Sequence, residues 1–204
     1  MQLQKDGMYK MDLTRDNIKA ILLDMFVAGS DTTTATIEWM MAELLKHPND
    51  INKMEYLKCI VKETLRLHPA APLLGPRRIS ASVKLGGYDI PSDTTILINE
   101  WAIHRDPKWW ENPEGFIPER FEDSSNTDFQ GQDFHFILFG FGRRACSGMQ
   151  FGVVTTEYVV ANLLYWFDWK LSAGEIPENL DMAELYGLTG HKKTPLRVIA
   201  HFSF

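Results

Sequence analysis

Phe139, Gly142, Arg144, Cys146 and Gly148 fall at fixed spacing in one glycine-rich loop, directly ahead of an apolar run that reads as a helix. A cysteine placed there is a candidate metal ligand. Backbone N–H groups freed by the glycines and the positive end of the following helix both favour sulfur as thiolate, the form that binds metal. A buried cysteine beside a glycine turn is the plainer alternative. Ala28-Gly29-Ser30-Asp31-Thr32-Thr33 is a second candidate, because poor helix formers interrupt a helical pattern there; glycine alone costs about 1 kcal/mol against alanine. Either the helix breaks at Gly29, with Ser30 or Asp31 capping a new one, or the misfit marks a groove where a hydroxyl and a carboxylate hand on protons. Glu63 and Arg66 are three apart on a predicted helix and share a face, as a solvated surface ion pair would. Downstream, Phe116-Ile117-Pro118-Glu119-Arg120-Phe121 offers a second arginine.

The elements that must position these residues follow from apolar period and punctuation. Residues 16–47 read as one long helix, about 48 Å at 1.5 Å per residue, with Thr14 or Asp12 near its start and Pro48 closing it. Ile18, Ile21, Leu22, Met25 and Phe26 mark one face, and Ile37, Met40, Met41, Leu44 and Leu45 resume it. A second helix spans residues 54–68 and is ended by Pro69; Cys59 sits on it four residues before Glu63 and reads as core. Strands are expected at 82–85, 88–90 and 94–99, then a loop-rich aromatic segment over 104–139. Residues 148–167 read as a buried apolar helix, and 169–171 with 196–202 as closing strands.

Composition narrows the class. A chain of 204 residues with 45% hydrophobic content can bury a real core. Its formal net charge of -6 argues against nucleic acid as a main partner. Cys59 and Cys146 make no disulfide framework, and no Cys/His spacing resembles a zinc site. The longest apolar stretch, residues 20–29, is interrupted by Asp24 and falls short of a membrane span; no secretory or transit segment opens the sequence.

The pattern FxxGxRxCxG, read on Phe139, Gly142, Arg144, Cys146 and Gly148, resembles the haem-binding loop of the cytochrome P450 family. Leu138 and Ser147 stand where the commonest plant form of that loop has proline. The resemblance implies haem b with Cys146 as its axial iron ligand, a thiolate that favours O–O cleavage. Arg144 would pair with a haem propionate, since the guanidinium fork binds carboxylates bidentately; Arg77 is a weaker candidate for the same role. AGxDTT is similar to the family's oxygen-binding groove, where Ala28 and Gly29 leave room for haem and O₂, Thr32 hydrogen-bonds the oxygen, and Asp31 carries protons from solvent. ExxR followed by PERF is similar to a structural triad of Glu63, Arg66 and Arg120 that serves folding and haem incorporation. Leu188-Thr189 matches a turn that reaches the substrate.

The fold so implied is mainly α with small β-sheets, the C-terminal portion of the cytochrome P450 fold, as a single truncated domain over 1–204. Its parts are a distal oxygen-binding helix (1–48), the ExxR helix (52–69), short strands (70–103), the PERF segment and haem loop (104–148), and a final helix with closing strands (149–204). The implied activity is a haem-thiolate monooxygenase that inserts one atom of O₂ into a small lipophilic metabolite. Its electrons would come from an NADPH-dependent cytochrome P450 reductase. The texture is closest to the plant enzymes of secondary metabolism. By family the location is the cytosolic face of the endoplasmic reticulum membrane, although this sequence carries no anchor; membrane association is implied by family only. Everything that normally precedes the distal helix is expected to be missing. A further helix and turn are expected to be missing between Pro48 and Asn52, where five extended residues reach only ~17 Å. A non-catalytic haem-binding remnant, or a truncated product that fails to assemble, is the alternative.

Overall fold

The computed structural model describes residues 14–48, 56–122, 129, 133–172 and 174–203. Helix α1 (Arg15–Lys46) starts at a reciprocal cap: the Thr14 hydroxyl accepts the Asn17 N–H at 3.1 Å, and the Asn17 side chain accepts the Thr14 N–H at 3.0 Å. It runs unbroken through Gly29, so the break considered above does not occur. The hydroxyls of Thr32, Thr34 and Thr36 donate to the carbonyls of Ala28, Ser30 and Thr32 at 2.6, 2.7 and 2.9 Å. These bonds within the helix absorb side chains that would otherwise compete for its backbone. At the far end the His47 N–H caps the carbonyls of Glu43 and Leu44, ahead of Pro48.

The two halves of α1 have different surroundings. Ala35, Trp39, Met40, Met41 and Leu44 are buried, whereas Ile21, Leu22, Met25 and Phe26 of the expected apolar face are exposed. Only the C-terminal half packs on helices α2 (Leu57–Leu67) and, further along the chain, α4 (Met149–Trp166). Met40, Met41, Leu44, Leu57, Ile60, Val61, Leu65 and Val160 form that core. Each fully buried large apolar side chain contributes roughly 1.5–3 kcal/mol. Start residues 54 and 55 of the expected second helix, and the 52–55 part of the ExxR segment, lie outside the described residues. A second, aromatic cluster of Trp110, Phe121 and Phe136 adjoins the core through Cys59 and Leu138. Cys59 is half-buried, and that burial pushes its thiol up, in keeping with a packing role.

The described residues form four two-stranded antiparallel sheets beside the helices. Strand β1 (Arg77–Arg78) pairs with β4 (Thr95–Ile96), and β2 (Val83–Leu85) with β3 (Tyr88–Ile90). The turn between β2 and β3 is Gly86-Gly87, both at positive φ (57° and 88°), the backbone that a two-residue hairpin needs. Helix α3 (Glu100–Ile103) is capped by the Asn99 side chain. After α4, β5 (Phe167–Leu171) pairs with β8 (Val198–Phe202), and β6 (Glu184–Leu185) with β7 (His191–Lys192). The expected strand over 94–99 shortens to Thr95–Ile96, because the strand it pairs with among the described residues, β1, is two residues long. Helix α4 is not the buried helix expected: Val153, Thr156 and Val160 are buried, while Phe151, Val154, Tyr158, Tyr165 and Trp166 are exposed. One stripe of it meets the core, and nothing described packs on the others.

Candidate active site

Glu63 and Arg66 project from α2 into a space that the chain closes from three sides. Both side chains are fully buried, so the solvated ion pair is replaced by an interior one. Arg66 Nε donates to Glu63 Oε2 at 2.7 Å and its Nη2 to Glu63 Oε1 at 2.8 Å, a bidentate fork. The Ile117 N–H donates to the same Oε1 at 2.8 Å, and Arg120 Nε reaches it at 3.3 Å. The remaining Arg66 donors go to carbonyls: Nη1 to His104 (2.7 Å) and Pro113 (2.8 Å), and Nη2 to Gly115 (2.9 Å). Arg120 adds bonds to the carbonyls of Glu111 and Asn112. The segment 111–120 is thereby sewn to α2 through charged groups whose polar atoms find partners, the condition under which a buried ion pair is tolerable.

His104 links this cluster to the cysteine loop. Its carbonyl accepts from Arg66, and its ring Nε2 accepts the Ile137 N–H at 3.2 Å, two residues before Phe139. That bond assigns the ring proton to Nδ1, which faces Glu100 Oε1 at 3.8 Å. Burial, with Arg66 and Arg105 nearby, holds His104 at about 3, so it stays neutral; burial also pushes the Glu100 carboxyl well up. The two act on stability with opposite sign. The depressed His104 contributes stability that is complete above its ordinary 6.5 and is lost as pH falls toward about 3, whereas the raised Glu100 favours the fold on acidification. In Glu100→Gln the opposing slope is removed. Its urea midpoint is expected to fall steeply from pH 7 to pH 4, and adding His104→Gln is expected to flatten that fall. Equal slopes in the single and double variants would contradict the assignment.

The loop itself turns on two glycines at positive φ, Gly140 and Gly142, both 67°. The Cys146 N–H donates to the Phe139 carbonyl at 2.8 Å, closing the loop, and Leu138 and Phe139 seat it on the core. Cys146 is exposed, and a side chain at Gly148 would approach its Sγ to 4.0 Å. Helix α4 starts immediately beyond, with Gly148 at its N-cap. Arg77 of β1 lies against this loop: its guanidinium is 5.1 Å from the Phe141 ring, and a Cβ on Gly140 would stand 3.4 Å from Nη2. Arg77 Nε is buried and has no hydrogen-bond partner among the described residues. Arg144 is exposed on the same loop.

Ala28 and Gly29 are exposed on α1, and a Cβ on Gly29 would meet nothing within 4 Å. The Thr32 hydroxyl is occupied by the Ala28 carbonyl. Asp31 Oδ1 lies 3.3 Å from His191 Nε2, and the Thr189 side chain and His191 beside it hold its carboxyl below the ordinary carboxylate range. No hydrogen bond or ion pair among the described residues joins residues 28–32 to the Cys146 loop. Sequence reasoning found both sets but missed His104 and His191, whose partners stand 33 and 160 positions away with no local pattern to announce them.

These residues fit haem. The unspent, buried Arg77 donor beside the loop suits a propionate.

Comparison with known proteins defines the class. The family model described as Cytochrome P450 matches residues 1–49 and again 49–196. The chain belongs to the cytochrome P450 family. It is 49% identical to a phenylacetaldehyde oxime monooxygenase of Prunus mume, over 98% of this chain and 42% of that protein. Cytochrome P450 71A1 of Persea americana is also 49% identical (98% of this chain, 44% of the relative), and desmethylyatein synthase of Sinopodophyllum hexandrum 45% (98% and 45%). The chain thus resembles plant members of the family and spans under half the length of these relatives. The first alignment covers 223 positions for a chain of 204 residues, so that relative carries residues this chain lacks. The restart of the family match at residue 49 puts a discontinuity at the Pro48–Asn52 junction, where the sequence leads one to expect it. Among the described residues no helix is long and apolar enough to cross a membrane.

Proposed function

We propose that this chain is the haem-holding part of a plant haem-thiolate monooxygenase. The observation that carries the reading is the Cys146 loop, closed by its own backbone on the core, with the sulfur left exposed and an unspent arginine donor beside it. Cys146 would be the axial ligand of haem b, with Phe139, Gly142 and Gly148 shaping the loop around it. Arg77 and Arg144 would hold the propionates, and Ala28 with Gly29 would keep the distal side of α1 open. Haem supplies the redox iron that activates O₂. Thr32 would present its hydroxyl oxygen and Asp31 its carboxylate to the protons that this chemistry consumes. Glu63, Arg66 and Arg120 would form the structural triad that keeps the loop's support on α2. Electrons would come from an NADPH-dependent cytochrome P450 reductase, the substrate would be a small lipophilic metabolite, and the cytosolic face of the endoplasmic reticulum would be the location. A product of secondary metabolism is the class favoured by the relatives' names.

The test is reconstitution with haem and reductase, following NADPH use and product together. Thr32→Ala is expected to retain haem while most of the reducing equivalents are diverted from product to peroxide or water. If Thr32→Ala couples as tightly as the parent, the hydroxyl has no part in proton delivery.

A second reading, a haem-binding remnant without turnover, is favoured by the exposed Leu22, Met25, Phe26 and Val27 on α1 and Tyr158 and Tyr165 on α4. Such faces are ordinarily covered in a working enzyme. Haem uptake with no product under any reductase supply would select it.

A further inference from the structure

The C-terminal segment does more than end the chain beside α1. The Trp39 indole donates to the Gly190 carbonyl at 3.1 Å, the Gly190 N–H to the Ala70 carbonyl at 3.1 Å, and the Leu196 N–H to Glu38 Oε1 at 2.8 Å. A side chain at Gly190 would come within 3.1 Å of the Pro69 carbonyl, so the strand lies as close to the chain beneath as glycine allows. These contacts fix the segment on the buried half of α1. From there β7 and the turn before it reach the exposed half of α1, and His191 Nε2 arrives 3.3 Å from Asp31 Oδ1, with Thr189 two residues before it in the same turn.

That second attachment is not needed for anchoring. Asp31 is 51% and His191 35% exposed, and an exposed pair of this kind adds little to stability. The segment is already held by bonds from Trp39 and Glu38, and Lys192, next in the strand, turns the other way, over the Trp39 ring and onto the Asp181 carbonyl. What the pair does is take up one side-chain oxygen of the residue directly before Thr32. We propose that His191 and Thr189 are positioning residues for Asp31, holding its carboxylate toward the C-terminal turn so that proton traffic at the α1 groove depends on that turn. The proposal rests on the monooxygenase reading for its consequence, but not for the contact itself.

The consequence is specific. A carboxylate that faces His191 at 3.3 Å is biased toward the rotamer turned to β7, so the way Asp31 is presented beside Thr32 depends on that strand. Leu188 at the tip of the same turn is 80% exposed. A molecule that pressed on Leu188 would therefore shift Thr189 and His191, coupling occupancy to the state of Asp31.

Two measurements test this on the full chain. Long-range proton-nitrogen spectra of the histidine rings at pH 7 should show His191 Nε2 protonated, with a resonance that moves on Asp31→Asn and on Thr189→Val, while the other imidazoles stay put. An His191 signal indifferent to Asp31→Asn would overturn the pairing. In haem-loaded protein, His191→Phe should lower the fraction of NADPH electrons recovered in product several-fold, and His191→Arg, which keeps an N–H donor facing the carboxylate, should restore it. Equal coupling in parent, Phe and Arg variants would overturn the positioning role. A chain that takes up no haem would defeat the monooxygenase reading instead, and the ring spectra would still decide whether the pairing exists.

Discussion

Glu63→Ala is expected to lower the stability of the chain more than any other single substitution considered. Its carboxylate receives Arg66 twice, Arg120 once and the Ile117 N–H, and both Glu63 and Arg66 are fully buried. Truncating it leaves the Arg66 guanidinium buried without a counter-charge, a loss of about 3–5 kcal/mol. Set against a total of roughly 5–15 kcal/mol for an ordinary domain, that removes a large share of the stability. The same argument separates the charge from the site. Replacing both partners by apolar residues of similar volume, Glu63→Leu with Arg66→Met, removes the unpaired charge but also strips donors from the carbonyls of His104, Pro113 and Gly115. The double variant should therefore recover only part of the loss. Urea midpoints followed by tryptophan fluorescence read both changes, and a Glu63→Ala midpoint equal to the parent's would contradict the network.

Cys146→Ala is the second large effect, and it falls on a different property. Cys146 is exposed and its loop is closed by backbone, through the bond from its own N–H to Phe139. Removing the sulfur should leave stability within about 0.5 kcal/mol of the parent, as for other exposed positions, while abolishing thiolate ligation. The pairing of a stable fold with a lost ligand is what distinguishes a ligand from a packing residue. Glu63→Ala, in contrast, should lose stability and haem together.

Much of this was legible in the sequence because it is local. The cysteine loop, the ExxR spacing and the PERF segment each sit within about ten residues, and the strands at 88–90 and 83–85 are punctuated by their own Gly-Gly turn. Helix α1 shows where local reading stops. Propensity alone cannot tell a break at Gly29 from a continuous helix; three threonine hydroxyls bonded to preceding carbonyls and a reciprocal cap at Thr14 decide it. Burial was the other blind point. Apolar period marks Ile21 to Phe26 and most of α4 as interior, but an interior needs a partner, and the partner is set by which elements meet. The local pattern around β1 is poor, two arginines after a proline, and it is pairing with β4 that makes it a strand within the short-strand region expected over 70–103. Long separations hid the rest: Arg66 collects carbonyls from residues 104, 113 and 115, and Asp31 meets a histidine from the far end of the chain.

The same separations explain why the cluster and the loop belong to one account. Arg66 holds His104 by its carbonyl, His104 holds Ile137 by its ring, and Ile137 leads into the loop whose Gly140 N–H bonds back to it. The buried charges on α2 thus set the backbone that presents Cys146, which is why a substitution at Glu63 is expected to reach the sulfur.

The most direct test is the absorption spectrum of the chain expressed with haem supply, reduced and exposed to carbon monoxide. A strongly red-shifted Soret band that disappears in Cys146→Ala, while that variant and the parent, both prepared without haem, share one urea midpoint, is the predicted result. A band at the position of an imidazole- or thiol-ligated haem, or one that survives Cys146→Ala, would contradict Cys146 as the thiolate ligand and with it the central claim.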